Sequence, residues 1–520
     1  MSLKKKAVKG FAWNMLEGTG TQIISFIVFL VLARLLDPED FGLVAMATIS
    51  LAFFRIFKEF GFAAAIVQRE DLKNGHIDTA FWTDILVNGT MMAITFLSAK
   101  GVANLYNDPR LELILQALSL LFFTAALSQV QSAILRRNMD FKTLAIRTLA
   151  AEVIGGVTAI SCAFSGWGVW SLVVKSLTSS FVGTLILWSL SNWRPRLKVS
   201  KDYFMDLFGF SINMFAANIV NFFGSKSDSF LIGYFLGPVC LGYYTIAQRL
   251  ILLLTEFLGG AVNKVAWPIF SRLQNNPKKM RHGFYSASQI LALIVMPIFL
   301  GIYSVASELV PLMFGSQWEK SIPVLKILVF LGIINSMNKM YDSIIVSIGK
   351  PSVWLAMRIA ISVSNIVGVF VALHWGFGIT GIALAYVIVS YIYLPVYLYI
   401  LNILVNIKFS KYLTMLIAPI VAATIMSFSI FALKPLLYRI SIPDFFYITI
   451  PDFIIALASV PSYITIPVST PIIYLCALII IGVISYIISF ILISPTTFKN
   501  LLNMINEYRG RGNKNIVRTK

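Results

Sequence analysis

Five cations stand in long apolar stretches of this chain: Arg147, Lys175, Lys226, Arg249 and Arg358. A charged side chain at the centre of a membrane-spanning helix costs at least about 2.5–3.5 kcal/mol on insertion scales, so it faces a wet cavity or a partner of opposite charge. Asp84, Glu152, Asp228, Glu256 and Asp342 are acids in the same kind of stretch and are candidates for pairing or for a coupling-ion or proton site. Glu17, Lys326 and Lys339 complete the set. Lys339 and Asp342 are three apart and can pair along one helix face, whereas Arg249 and Glu256 share a face two turns apart. Asp228 lies two residues from Lys226 and points to a different face. Arg34, Arg55, Lys58 and Lys264 fall near the ends of apolar stretches, where long side chains reach back to water. For any one of these residues a structural pair and a ligand contact are equally open. Taken together, cations in both halves outnumber the acids obviously available to them. A net-positive cavity suits an anionic cargo, and a guanidinium meets phosphate oxygens through two parallel hydrogen bonds.

Other chemistries find little material. His76, His282 and His374 are far apart and lie at loops or stretch edges, and Cys162, Cys240 and Cys476 stand singly. That spacing excludes a disulfide framework and a zinc site. There is no Ser–His or Cys–His constellation, Walker loop or G-x-G-x-x-G, so the chain is not expected to be an enzyme or to hold a cofactor or metal. Without a nucleotide motif, movement of a cargo must run downhill, on an ion gradient, or on removal of product at the far side.

The elements that must position these charges follow from composition. The 520 residues are 58% hydrophobic and only 12% charged, against about a quarter charged in soluble domains. Stretches such as 20–33, 113–127 and 471–493 are nearly unbroken, and a spanning helix needs roughly 20 apolar residues. The expectation is an all-α polytopic membrane protein with about fourteen spans, near 11–35, 41–60, 80–100, 111–134, 144–165, 168–190, 206–236, 241–266, 285–306, 322–348, 353–374, 378–402, 411–433 and 470–494. An even count puts both termini on one side. The net charge of +19 belongs to topology and not to nucleic acid: most Lys and Arg fall on that same side, while the opposite loops hold Lys100, Arg110, Lys320, Lys434 and Arg439. Cytoplasmic loops accumulate Lys and Arg, so both termini are read as cytoplasmic. The first apolar stretch ends in LARLLDPED without a small-residue cleavage site and reads as an uncleaved span.

The chain also repeats itself. LLDPEDFGL (35–43) returns as FLGPVCLGY (235–243), with Leu36, Pro38 and Gly42 matched by Leu236, Pro238 and Gly242. Both copies lie at the turn between the first and second spans of a six-span block. Two helix turns that reuse the same residues would look alike as well. Parallel repeats imply two six-helix bundles in parallel repeat plus a final helix pair: 1–192, a linker at 193–205, then 206–402, and the pair within 403–498 ahead of a basic tail, 499–520. Residues 434–470 carry Pro443, Pro451, Pro461 and Pro467. Proline at that density prevents a continuous spanning helix, so this segment reads as interfacial or re-entrant at the outer leaflet.

The stretches SLKKKAVKGFAW, LARLLDPEDFGLVAMA, FKEFGFAAAIVQRED, LRRNMDFK and FGSQWEKSIPVLKIL resemble the bacterial polysaccharide-transporter family. These are lipid-linked oligosaccharide flippases and exporters, colanic-acid-exporter-like and teichuronic-acid-type proteins being nearest, within the multidrug/oligosaccharidyl-lipid/polysaccharide exporter superfamily. The likeness covers about residues 1–430. It implies two six-helix lobes around a cavity, with a polyprenyl-pyrophosphate-linked oligosaccharide as the substrate. That substrate would cross the cytoplasmic (inner) membrane by alternating access, for lipopolysaccharide or exopolysaccharide assembly. Membrane lipid and a polysaccharide polymerase or chain-length regulator are the partners it suggests, with no nucleic acid. A cation-coupled multidrug exporter of the same superfamily is the alternative, followed by a membrane polysaccharide polymerase or ligase.

Overall fold

The computed structural model describes residues 3–57, 66–69, 71–439, 469–495 and 499. Its long helices are α1 (Leu3–Leu35), α2 (Pro38–Ile56), α3 (Asn74–Tyr106), α4 (Arg110–Arg137), α5 (Phe141–Phe164), α6 (Val169–Leu190) and α7 (Lys201–Leu273). They continue with α8 (Pro277–Phe314), α9 (Ile322–Ser347), α10 (Pro351–His374), α11 (Gly378–Val405), α12 (Phe409–Arg439) and α13 (Ser469–Ile493). Among the described residues there is no strand, and 12 helices are long and apolar enough to cross a membrane. This is a multi-pass, all-α membrane protein.

Over their described residues the expected spans correspond to helices, with two differences, and residues 58–60 of the second lie outside the described residues. As expected, the seventh and eighth are two helices, the arms of α7, which meet in a kink at Gly237 (φ 80, ψ 179), a left-handed conformation that suits glycine. Polar flanks are helical too, so α3 runs beyond the expected 80–100 at both ends. The helix expected to stop at 433 continues through Pro435 to Arg439. Its last turns are anchored by Lys434, whose Nζ donates to Ser304 O at 2.6 Å and to Glu308 at 2.8 Å. Residues 440–468, which hold the proline-rich stretch, and the basic tail beyond 499 lie outside the described residues.

The chain divides into two compact units. The first comprises Met1–Ile246, Met313–Trp318 and Arg358–Ile382; the second comprises Ala247–Leu312, Glu319–Met357 and Ala383–Lys520. In the first, α5 packs against α1 and α6, and α4 against α3 and α6. Asp140 starts α5 by accepting Thr143 N–H (3.2 Å) and the Thr143 hydroxyl (2.7 Å), the usual satisfaction of an orphan helix-start donor. Thr124 and Ser180 share a hydrogen bond of 2.6 Å, and Trp188 Nε1 donates to Leu127 O, fastening α4 to α6. The basic stretch after α6 lies on the start of α3: Arg196 N–H donates to Asp78, and Trp82 Nε1 to Arg196 O.

The two copies of the repeated turn meet in this unit. A methyl group on Gly42 would collide with the carbonyl of Pro238, and one on Gly242 with the carbonyl of Pro38. Each glycine therefore accepts the other copy's proline backbone, a reciprocal approach that any Cβ would block. Trp318 lies edge-on to Phe41 of one copy (5.4 Å) and to Tyr243 of the other (6.1 Å), and its Nε1 donates to Ala33 O at 2.7 Å.

The second unit has an aromatic centre. Phe284, Tyr341, Tyr397 and Tyr412 pack within about 6 Å of one another in adjacent pairs, and the hydroxyls of Tyr341 and Tyr412 are 2.5 Å apart. Phe299 lies over Gly332, and α13 packs along α12.

Candidate functional site

The first unit holds a cavity of about 370 Å³ walled by α2, α4, α5 and α6. Small residues open it. Gly155 lets α6 approach α5 so closely that a Cβ there would strike the Ser179 hydroxyl, and Gly183 leaves room beside the Arg147 guanidinium. The lining is polar for a membrane interior: Arg55, Arg147 and Glu152 with the hydroxyls of Thr48, Thr148, Ser176, Ser179 and Ser180.

Arg147 is half-buried. Its Nε donates to Gly183 O at 3.1 Å and its Nη1 to Ser132 Oγ at 3.2 Å. A guanidinium carries five N–H donors, and among the described residues Nη2 has no protein acceptor. Thr148 donates to Glu17 at 2.9 Å, which puts an acid behind this wall. Lys175 Nζ is 2.8 Å from Glu152 Oε1, so its charge is compensated inside the unit. The Ser179 hydroxyl is buried with no hydrogen-bond partner among the described residues. A desolvated hydroxyl without a partner costs about 1–3 kcal/mol. The cavity therefore favours a ligand that accepts hydrogen bonds and carries negative charge.

The remaining candidates fall elsewhere. Lys226 and Arg358 belong to the first unit and are exposed, each near the place where a Cβ on Gly224 would meet the Ser362 hydroxyl. Asp228 is buried there, its Oδ2 accepting from Tyr244 at 2.9 Å and its Oδ1 from Ser229 N–H. Asp84 is buried on α3, where its carbonyl accepts from Asn88 Nδ2. Arg249, Glu256 and Asp342 belong to the second unit. The Lys339 ammonium pairs with Glu256 across helices at 2.7 Å instead of with Asp342 along its own, because Gly259 gives its stem a path over α7. Asp342 accepts from Tyr397 at 3.4 Å. Among the described residues no three His, Cys, Asp or Glu are grouped to hold a metal ion.

Just outside the spans, Arg110 ties Glu39 (2.5 Å) to Asp108 (2.7 Å). The Arg110 hydrogen bond holds the Asp108 carboxyl below its ordinary range. Burial does the reverse to Asp40, raising its pKa against hydrogen bonds from the Asp37 and Val169 backbone.

The cavity hydroxyls were missed in the sequence, although their signal is present. Ser176, Ser179, Ser180 and Gly183 recur at the three-and-four spacing of one helix face, a small polar stripe in an apolar helix. Arg55, read as an interfacial side chain, lines the same cavity.

A family described as "Polysaccharide biosynthesis protein" matches residues 31–323. The chain is 28% identical over 326 residues to the succinoglycan biosynthesis transport protein ExoT of Rhizobium meliloti (strain 1021), across 62% of this chain and 66% of that one. It is 24% identical to the teichuronic acid biosynthesis protein TuaB of Bacillus subtilis (strain 168), across 83% and 90%. The lipopolysaccharide biosynthesis protein WzxC of Escherichia coli (strain K12) is 25% identical, across 67% and 71%. The fold of the present chain is similar to that of the lipid II flippase MurJ in an inward closed conformation (TM-score 0.70, 13% identity, 94% and 100% of the chains). It is also similar to that of an inward-facing multidrug resistance MATE family transporter of the MOP superfamily (TM-score 0.59, 16% identity, 74% and 95%).

Proposed function

We propose that this chain, which belongs to the polysaccharide biosynthesis protein family, translocates a polyprenyl-pyrophosphate-linked oligosaccharide across the cytoplasmic membrane by alternating access. The observation that carries the reading is Arg147: a guanidinium within the membrane-spanning helices, held through two of its donors among the described residues, beside hydroxyls in a polar cavity. A diphosphate crosses hydrocarbon only where cations shield it, and Arg147 presents the remaining arm of its fork to such a group. Lys226, Arg249 and Arg358 are the further cations of the path, and Lys175 acts through its pair with Glu152. Asp228, buried and triply hydrogen-bonded, is the leading coupling acid, ahead of Asp84, Glu256 and Asp342. The prenyl chain stays in lipid, both termini are cytoplasmic, and the two repeats 1–192 and 206–402 alternate about the linker 193–205. A polymerase or chain-length regulator receives the cargo.

Export of surface glycan in a host lacking its own flippase tests this reading. Arg147→Glu abolishes export at unchanged membrane abundance, and Arg147→Lys, which keeps the charge and loses the fork, lowers it partially. Full export by Arg147→Glu, Arg249→Glu and Arg358→Glu alike overturns the reading. A cation-coupled drug exporter needs an acidic cavity, whereas here the acid on the wall is already paired with Lys175.

A further inference from the structure

The Lys/Arg-rich end of the second unit differs from that of the first. In the first, acids stand among the bases: Asp71, Asp78, Asp140 and Asp202 beside Lys73, Arg136, Lys142 and Arg196. Several bases there are already engaged, Arg137 with the carbonyls of Ile66, Val67 and Arg69, and Arg194 with those of Trp188, Ser191 and Trp193. The second unit has no acid nearby in sequence: no Asp or Glu occurs between Glu256 and Glu308, nor between Asp342 and Asp444.

Tertiary contacts gather its bases into one place. Tyr285 on α8 accepts a hydrogen bond from Lys408 N–H at 2.8 Å and donates to Lys408 O at 3.4 Å, pinning the turn before α12. Arg281, one turn earlier on α8, donates to Asn406 O in the same turn. The Lys411 ammonium lies 5.0 Å from the centre of the Tyr285 ring. Lys278, Lys279, Lys408 and Lys411 are exposed, and Arg281 is half-buried. Next to Lys408 in the chain, Phe409 exposes a large apolar surface, 46% accessible, as side chains do at the level of lipid headgroups.

We propose that this tyrosine-pinned basic face is a docking site for anionic phospholipid headgroups, with Arg281, Lys408 and Lys411 as its centre. Clusters of four or more Lys/Arg next to a spanning helix attract anionic lipid. Here the cluster is fixed by backbone contacts rather than spread along a loose loop, so it meets a phosphodiester without first ordering its own chain. The partner is the lipid and not a soluble anion, because the exposed Phe409 ring beside Lys408 gives acyl chains a surface. The inference is independent of the cargo.

The full-length protein in neutral detergent tests it by thermal unfolding against added lipid. Phosphatidylglycerol raises the transition temperature with dose, and phosphatidylcholine and inorganic diphosphate do not. About 1 M NaCl, where the Debye length is about 3 Å, suppresses the shift. The triple variant Arg281→Gln/Lys408→Gln/Lys411→Gln weakens the apparent phosphatidylglycerol affinity by roughly a factor of ten or more. Lys142→Gln/Lys198→Gln/Lys201→Gln, at the basic end of the first unit, leaves it unchanged. Should the triple variant aggregate, Lys408→Gln/Lys411→Gln, which spares the Arg281 bond, is read by lipid retained in native mass spectrometry. Unchanged affinity in these variants, an equal response to phosphatidylcholine, or full reproduction of the shift by diphosphate overturns the proposal.

Discussion

The cavity of the first unit and the cavity of the second are both enclosed by long apolar helices, yet they make opposite demands on an occupant. The first, about 370 Å³, presents Arg55, Arg147 and five hydroxyls. The second, about 600 Å³, is walled by residues such as Tyr303, Phe330, Met337, Tyr391 and Leu416. The deeper difference is satisfaction. In the second, Tyr341 and Tyr412 bond each other, Tyr391 donates to Phe330 O, and Ser427 donates to Leu300 O. In the first, the Ser179 hydroxyl and one arm of Arg147 have no protein partner among the described residues. Buried polar groups are nearly always paired, so a wall with unpaired donors marks where a polar ligand or water belongs. A satisfied apolar wall carries no such demand.

That contrast can be broken at several points, the most severe being the contact on which the first unit closes. Gly42→Ala or Gly242→Ala places a methyl against a proline carbonyl of the other copy, backbone that cannot swing aside. A loss of about 3 kcal/mol or more is expected, read as a large fall in the thermal transition of the purified protein. Gly18→Ala, with nothing within 4 Å, serves as the unaffected control. Next comes the ion pair on the polar wall. Lys175→Met alone strands Glu152 and costs about 3 kcal/mol, whereas Lys175→Met with Glu152→Leu is nearly neutral, since the pair's attraction mainly offsets its desolvation. If the double variant were as unstable as the single one, the pair would not be the reason.

The apolar side responds more mildly. Tyr341→Phe removes the hydroxyl contact with Tyr412 and costs about 1 kcal/mol in thermal stability, with glycan export unaltered. Loss of export would show that the second cavity does polar work too. The smallest effect lies outside both cavities. Because Arg110 depresses the Asp108 pKa, the ionised carboxylate contributes stability above the ordinary aspartate pKa of about 4. That contribution disappears as pH falls through the lowered folded value. Asp108→Asn therefore unfolds slightly earlier than the wild type at neutral pH and indistinguishably from it in acid.

Much of this protein was legible without coordinates. Helix identity and number follow from apolar length, since a span must satisfy its backbone internally. The recurrence of Pro38 and Gly42 at Pro238 and Gly242 announced a repeated turn, and Arg147 stood among five cations that together outnumber the acids obviously available to them. Other features needed three dimensions. Nothing in the spacing says that the two turns grip each other's carbonyls, that Lys175 is neutralised by Glu152 on a neighbouring helix, or that Lys339 chooses Glu256 over Asp342. A linear pattern records which face of a helix is apolar and what lies three or four residues away. Pairing across helices depends instead on axis separation and rotation, which small residues such as Gly155 and Gly259 set by allowing close approach. Sequence determined which groups the membrane must hide; the packing of helix against helix decided from what, and with whom.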